Sequence, residues 1–118
     1  MPWEKLLAAG AGGFVGATVR YGLSLALMGQ TTTFPWVTLG VNILGCLLIG
    51  LLYPFVRERE LLLPFLIPGV LGGFTTFSAF GHETYELAKG GKVGLAAAYV
   101  LASVLLGLGA VWVGRLAK

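Results

Sequence analysis

Four long apolar runs separated by short polar segments set the pattern of this chain. They cover residues 6–28, 36–55, 61–80 and 93–113, and Arg20 is the one charge among them. Because an α-helix rises about 1.5 Å per residue and the hydrocarbon layer is about 30 Å thick, about 20 such residues can cross a bilayer. The pattern predicts an all-α membrane protein with four transmembrane helices, at residues 6–28, 36–55, 61–88 and 93–115.

The composition agrees with membrane insertion. Of the 118 residues, 57% are hydrophobic and 11% are charged, and the mean hydropathy is +0.88, whereas a soluble domain is typically about 25% charged. This excludes a soluble enzyme, a disordered tail and a secreted disulfide scaffold, and the single cysteine, Cys46, allows no intrachain disulfide. The connections, such as RERE at 57–60 and KGGK at 89–92, are short. We therefore expect one transmembrane domain over residues 1–118.

The basic residues lie at the ends of the runs and read as topology signals. With four spans, one side of the membrane holds Lys5, Arg57, Arg59, Arg115 and Lys118, and the other holds Lys89 and Lys92. This weak bias fits a chain with both termini inside and equally a chain that inserts in both orientations. The basic residues form no stripe with interleaved aromatics, so we expect a lipid partner and no nucleic-acid partner.

Glycine and proline distinguish two of the runs. In the first, Gly12-x-x-x-Gly16 has the spacing that lets two helices pack closely. In the third, Pro64 and Pro68 precede a glycine pair, which predicts a break in the helix within residues 72–76. Non-helical backbone at membrane depth often marks an ion or substrate site. The alternative is a proline kink that serves only packing.

Three strings carry a resemblance to a known family: GGFVGATVRY at 12–21, VTLGVNILGCLLIG at 37–50 and GGFTTFSAFGHE at 72–83. In order and spacing they are similar to the signature blocks of the CrcB/Fluc fluoride channel family. The resemblance implies an antiparallel, dual-topology homodimer with two fluoride pathways and a structural Na⁺ at its centre. It also implies a multi-pass protein of the cell inner (plasma) membrane that exports fluoride passively and relieves fluoride toxicity.

The chemistry of the residues supports an anion pathway independently in part, whereas the functional interpretation of Phe77 and Phe80 rests on the resemblance. Asn42 is the only amide side chain in any run, and its NH₂ group is a donor without a full charge. Phe77 and Phe80 lie three residues apart on one helical face, and aromatic ring edges carry partial positive charge. The structural alternatives are an interhelical hydrogen bond for Asn42 and simple packing for the two rings.

The resemblance assigns the remaining site residues. It implies that Asn42 donates to fluoride and that the paired rings of Phe77 and Phe80 line the pathway. The rest of the expected polar lining is Thr76, Ser78, Glu83, Tyr99 and Ser103; the alternatives are a solvated carboxylate at the end of the span for Glu83 and helix packing for Tyr99 and Ser103. It implies main-chain oxygens of Gly72 and Thr75 as Na⁺ ligands and places Arg20 in an aqueous vestibule, although snorkelling to the headgroups explains Arg20 nearly as well. Ala79 departs from the pattern, because many relatives carry a threonine there.

Two other classes of protein remain as alternatives. A small four-helix, proton-coupled multidrug or cation exporter has the same size, but it needs an acid in its first span, where this chain has only Glu4 at the edge. A structural membrane subunit would not need Asn42, a broken helix and a phenylalanine pair together. An enzyme is not expected, because no set of nucleophile, base and orienting group is visible.

Overall fold

The computed structural model describes residues 2–27 and 33–117, and within these ranges the regular structure is entirely helical. The elements are α1 (Pro2–Ala26), α2 (Trp36–Val56), α3 (Leu62–Pro64), a π-helix π1 (Phe65–Leu71), α4 (Gly72–Phe74), α5 (Phe77–Lys89) and α6 (Val93–Leu116). The prediction of an all-α protein is confirmed. Residue 28, the predicted end of the first span, and Lys118 lie outside the described residues.

Three stretches are long and apolar enough to cross a membrane: Trp36–Val56, Leu62–Lys89 and Val93–Leu116. The protein is therefore a multi-pass membrane protein. Helix α1 is 25 residues long, but it is not one of these three, because glycine and alanine dilute its apolar character and Arg20 interrupts it. Of the four predicted spans, three thus meet this criterion.

The helices pack in two pairs, and the two segments of each pair run in the same direction. In the first pair α1 lies along π1 and α4. Along α1, Gly12 faces Phe65 and Val70, and Gly16 faces Val70 and Phe74, so later residues meet later residues. In the second pair α2 lies along α6. Cys46 meets Gly107 and Gly50 meets Gly114, so this pair is parallel as well. Helix α5 forms an antiparallel hairpin with α6, in which Leu87 and Ala96 lie in the same buried cluster.

Backbone contact between α1 and the third run depends on glycine. A Cβ atom at Gly12 would overlap the carbonyl oxygen of Phe65, and one at Gly16 would overlap the Val70 carbonyl and lie 2.7 Å from the Phe74 nitrogen. No other residue type fits such a gap without moving the helices apart. The Gly12-x-x-x-Gly16 motif is therefore a packing face within the chain, as its spacing predicts.

Proline disturbs the third run before the break. Pro68 has no N–H to donate to the Pro64 carbonyl, and the chain from Phe65 to Leu71 winds as a π-helix. At the end of π1 the Gly72 amide donates to the Ile67 carbonyl, five residues earlier. A π-helical turn inside an α-helix is rare and occurs frequently at functional sites.

The helix then stops completely. Thr75 (φ −87°, ψ 158°) and Thr76 (φ −150°, ψ 122°) are extended, and α5 begins at Phe77. The break lies at the end of the stretch 72–76 in which it is predicted. It divides the third run into a first half, residues 62–74, and a second half, α5.

A second proline, Pro54, lies inside α2. It cannot donate to the carbonyl of Gly50, four residues earlier. The Nε of Arg115 on α6 donates to that carbonyl instead, at 3.4 Å, and its guanidinium lies 5.4 Å from the centre of the Tyr53 ring. An arginine thus supplies the hydrogen bond that a helix irregularity removes.

The glycine contacts predict that two alanine substitutions in α1 differ sharply in their effect on stability. Gly16→Ala should lower the stability by about 1–3 kcal/mol, because its Cβ meets the backbone of π1. Gly10→Ala is the matched control, since no atom of the described residues lies within 4 Å of its Cβ position, and it should be neutral or stabilising by up to about 1 kcal/mol. Thermal unfolding in detergent measures both. Equal midpoints for the two variants would contradict the packing of α1 on π1.

Candidate functional site

The extended residues at the break begin a new helix with a polar cap. The Thr76 hydroxyl accepts a hydrogen bond from the Ala79 amide at 3.2 Å and lies 3.2 Å from the Ser78 hydroxyl. Threonine is a preferred residue at this position, because its oxygen satisfies one of the free amides of the first helical turn. The sequence Thr-Thr-Phe-Ser therefore ends one helix and starts the next within two residues.

Asn42 on α2 holds the break in place. Its Nδ2 donates to the Thr76 carbonyl at 3.1 Å, and its Oδ1 accepts from the Thr76 amide at 2.9 Å. The side chain thus satisfies both backbone groups of one residue that has left the helix. An amide NH₂ carries two N–H groups, and these two bonds use only one of them. The second N–H remains for another acceptor.

A groove of about 380 Å³ opens beside this contact. Helix α2 contributes Asn42 and Cys46, the break contributes Thr75 and Thr76, and apolar side chains complete the walls. We call it the break groove; its lining is Asn42, Gly45, Cys46, Ile49, Ile67, Leu71, Gly72, Thr75, Thr76, Phe77, Phe80, Ser103 and Val104. Since no lining residue carries a full charge, the groove offers hydroxyl, amide and main-chain groups within an apolar wall.

Three aromatic rings lead away from the groove. Phe77 and Phe80 lie with their ring centres 5.6 Å apart and tilted by 49°, and Phe80 is 5.0 Å from Tyr99 with a tilt of 58°. Phe77 is 83% exposed, whereas Tyr99 is fully buried. The row of rings therefore runs from the surface of the chain into its core.

Glu83 lies at the inner end of this row. Its Oε1 accepts from the Tyr99 hydroxyl at 2.7 Å, and its Oε2 accepts from the Thr38 hydroxyl at 2.8 Å. Charge-assisted bonds to two hydroxyls fix the carboxylate in one orientation. Glu83 also lines a second cavity of about 310 Å³, the end pocket, formed by Thr33, Pro35, His82, Glu83, Glu86, Leu87, Gly90 and Lys92.

Most of the residues singled out in the sequence come together here. Asn42, Thr76, Phe77, Phe80 and Ser103 line the break groove, as do both residues expected to offer carbonyl oxygens, Gly72 and Thr75. The Ser103 hydroxyl is buried with no hydrogen-bond partner among the described residues, so it is an unused polar group at the groove. Tyr99 and Glu83 follow behind Phe80. Ser78 lies at the exposed side of the break.

Arg20 lies elsewhere, on the α1 side of the break. Its Nε donates to the Gly73 carbonyl at 3.0 Å, and it is partly buried. Neither Arg20 nor Gly73 lines the break groove. Two positions were expected for this side chain, an aqueous vestibule or the headgroup region. Neither expectation includes the main-chain contact that the structure shows.

Thr38 is a site residue that the sequence reasoning missed. It lies one helical turn before Asn42 on the same face of α2, and this i, i+4 spacing is the signal that could have found it. Its bond to Glu83 joins residues 45 positions apart, so periodicity along either helix does not reveal the pair.

Comparison with known proteins places the chain in a family. The family model described as CrcB-like protein, Camphor Resistance (CrcB), matches residues 7–115. A Paracoccus denitrificans protein named fluoride-specific ion channel FluC is 46% identical over 113 residues, which cover 94% of this chain and 91% of that protein. The chain belongs to the CrcB family. The resemblance of its three sequence blocks is thereby confirmed.

Other CrcB relatives match at similar length. A Thermus thermophilus protein of the same printed name is 46% identical over 109 residues, covering 89% of this chain and 87% of that protein. One from Methylobacillus flagellatus is 40% identical over 116 residues, covering 93% and 91%. This CrcB chain therefore aligns with its relatives over most of their length, including the segments that form the break groove.

The Glu83 contacts predict a measurable effect of one hydroxyl. Tyr99→Phe keeps the ring and removes the donor to Glu83, which should lower the stability of this CrcB protein by about 1–3 kcal/mol. Tyr21→Phe is the matched control, because Tyr21 is 62% exposed on α1. Thermal unfolding in detergent compares the two. If both substitutions were neutral, the hydroxyl would not hold the carboxylate.

Proposed function

We propose that this protein is a fluoride-selective channel that conducts F⁻ passively out of the cell and so relieves fluoride toxicity. The observation that carries the proposal is the helix break held by Asn42, with an uncharged polar groove beside it, in a chain whose relatives are named fluoride-specific ion channels. Those names describe conduction of an ion and no chemical reaction, in agreement with the expectation that the chain is not an enzyme.

The groove has the chemistry that a small, strongly hydrated anion requires. A pore that strips the hydration shell must replace it with donors. The second N–H of Asn42 and the Ser103 hydroxyl, which has no partner in the described part of the chain, are such donors. Phe77 and Phe80 also line the groove, and the edges of aromatic rings carry weak positive potential. None of these groups carries a full positive charge that would bind the anion too tightly to release it.

The route continues past the rings. From the break groove an ion passes Phe77 and Phe80 toward Tyr99, Glu83 and the end pocket. The fixed carboxylate of Glu83 orients the Tyr99 and Thr38 hydroxyls at this end. A membrane potential that is negative inside drives F⁻ outward, worth about 2.3 kcal/mol per charge per 100 mV, so no other energy source is needed.

The proposal includes four spans and an antiparallel homodimer with two pores in the inner (plasma) membrane. Since α1 runs parallel to the first half of the third run, it passes through the same layer as that helix. Phe77 is 83% exposed although it borders the groove, and a second chain packed there would close the wall. The weak Lys and Arg bias, five residues on one side against two on the other, fits insertion in both orientations as well as a chain with both termini inside.

A structural Na⁺ at the dimer centre fits the main chain at the break. In a continuous helix the amides of Thr76 and Ala79 would donate to the carbonyls of Gly72 and Thr75. Here the two amides donate instead to Asn42 and to the Thr76 hydroxyl. Gly72 and Thr75 both line the groove, and carbonyl oxygens are ligands of hard cations. A bound Na⁺ would neutralise the partial negative charges of these carbonyl oxygens.

The proton-coupled exporter remains the second class against which the proposal is tested. Such an exporter needs an acid that binds protons and cations in turn. The described part of the first helix offers only Glu4, at its exposed start, and Glu83, in the middle of α5, is held by two hydroxyls.

The row of aromatic rings beside the groove predicts that Phe77 controls fluoride flux. In liposomes loaded with potassium fluoride, Phe77→Leu should slow fluoride efflux about tenfold or more, an added barrier of about 1.4 kcal/mol, because it removes the ring edge at the groove. Phe14→Leu is the matched control, since Phe14 is 75% exposed on α1 and does not line the groove, and it should leave efflux unchanged.

A fluoride electrode outside the liposomes measures efflux, and both variants should elute as folded protein of wild-type size. Wild-type efflux of Phe77→Leu would remove the rings from the pathway. Absence of fluoride efflux from the folded wild-type protein would reject the channel itself.

A further inference from the structure

The break leaves a specific set of backbone carbonyls without their helical donors. In a continuous helix, the amides of residues 76–79 would donate to the carbonyls of residues 72–75. Thr76 and Ala79 donate elsewhere, and the chain at Thr75 and Thr76 is extended. Each freed carbonyl must find another partner, since an unsatisfied group at membrane depth costs several kcal/mol.

One freed carbonyl, that of Gly73, has an identified partner. It accepts from the Nε of Arg20 at 3.0 Å, across 53 positions of sequence. Gly73 packs directly on α1, where its Cβ position lies 2.6 Å from the Gly13 carbonyl oxygen and 3.2 Å from the Ala17 nitrogen. The residue is therefore fixed against α1, away from the break groove.

The neighbours of Gly73 face the other way. Gly72, Thr75 and Thr76 line the break groove, and Gly73 does not. On the α2 side, Asn42 binds both backbone groups of Thr76. The broken segment is thus held from two sides, by Arg20 through Gly73 and by Asn42 through Thr76.

We propose that Arg20 is a positioning residue, whose bond to the Gly73 carbonyl turns that carbonyl toward α1 and so presents the Gly72 and Thr75 carbonyls to a cation. This inference rests on the Na⁺ site of the proposed function. It assigns to Arg20 a role that is distinct from attracting anions, because Arg20 acts indirectly, by orienting the carbonyls. Its charge alone has the opposite effect, because a guanidinium next to a cation site repels the cation.

The sign of the effect on Na⁺ affinity therefore separates the two roles. If Arg20 positions the carbonyls, Arg20→Leu should raise the Na⁺ concentration for half-maximal thermal stabilisation by about 10- to 100-fold, as for other residues that orient metal ligands. If only its charge matters, the same substitution should lower that concentration. Arg20→Lys keeps the charge but loses the planar fork of donors, so it should give an intermediate value.

Arg115→Leu is the matched control. Arg115 also donates its Nε to a carbonyl freed by a helix irregularity, that of Gly50, but neither residue lines the break groove. Its loss should lower the unfolding midpoint equally in sodium and in choline chloride. A merely structural role for Arg20 would give the same salt-independent result.

The experiment measures unfolding midpoints of the full-length protein in detergent, over a series of NaCl concentrations made up to constant ionic strength with choline chloride. The same preparations are assayed for fluoride efflux. A reduced Na⁺ affinity in Arg20→Leu, together with an unchanged one in Arg115→Leu, supports the proposal. An equal or higher affinity in Arg20→Leu overturns it, and so does a value for Arg20→Lys equal to the wild type.

The controls also separate this inference from the proposed function. A wild-type protein whose midpoint does not depend on Na⁺ would reject the Na⁺ site, and with it the role given to Arg20. Fluoride efflux from that same preparation would leave the channel itself standing. Failure of both measurements in folded protein would reject the channel as well.

Discussion

The pair of hydrogen bonds between Asn42 and Thr76 is the interaction on which the site depends. A chain that leaves the helix inside a membrane exposes an amide and a carbonyl at each residue, and lipid offers them no partner. One carboxamide supplies both a donor and an acceptor, so Asn42 satisfies Thr76 completely, at 3.1 and 2.9 Å. With the break held in this way, Thr76 can cap α5, and the groove stays open between α2 and the broken helix.

The rest of the fold supplies rigid walls for this contact. Glycine at Gly12 and Gly16 brings α1 to backbone distance from π1, which places Arg20 one turn later against the Gly73 carbonyl. On the other side α2 and α6 pack through Gly50 and Gly114, and α6 brings Tyr99 to Glu83. The same device appears twice, because both Arg20 and Arg115 donate to carbonyls that a helix irregularity has freed.

The sequence predicts the features that depend on local composition. Long apolar runs indicate the helices, the Pro and Gly residues of the third run locate the break, and Asn42 stands out as the single amide in an apolar run. The partners of these residues could not be predicted, because they depend on contacts between distant segments. The bonds from Thr38 to Glu83 and from Arg20 to Gly73 span 45 and 53 positions, and no periodicity along one helix reveals them. Helix α1 shows a different limit of prediction from sequence. Its glycines serve packing, and they reduce the apolar character by which membrane spans are recognised.

Reversal potentials in planar bilayers distinguish passive fluoride conduction from proton-coupled transport. Purified protein is recorded with a fluoride gradient, a chloride gradient and a pH gradient applied in turn. A passive fluoride channel should give a reversal potential that follows the fluoride ratio as the Nernst relation requires for a monovalent anion, with no shift on changing chloride or pH. A reversal potential that follows the pH gradient instead would contradict it and indicate proton-coupled transport.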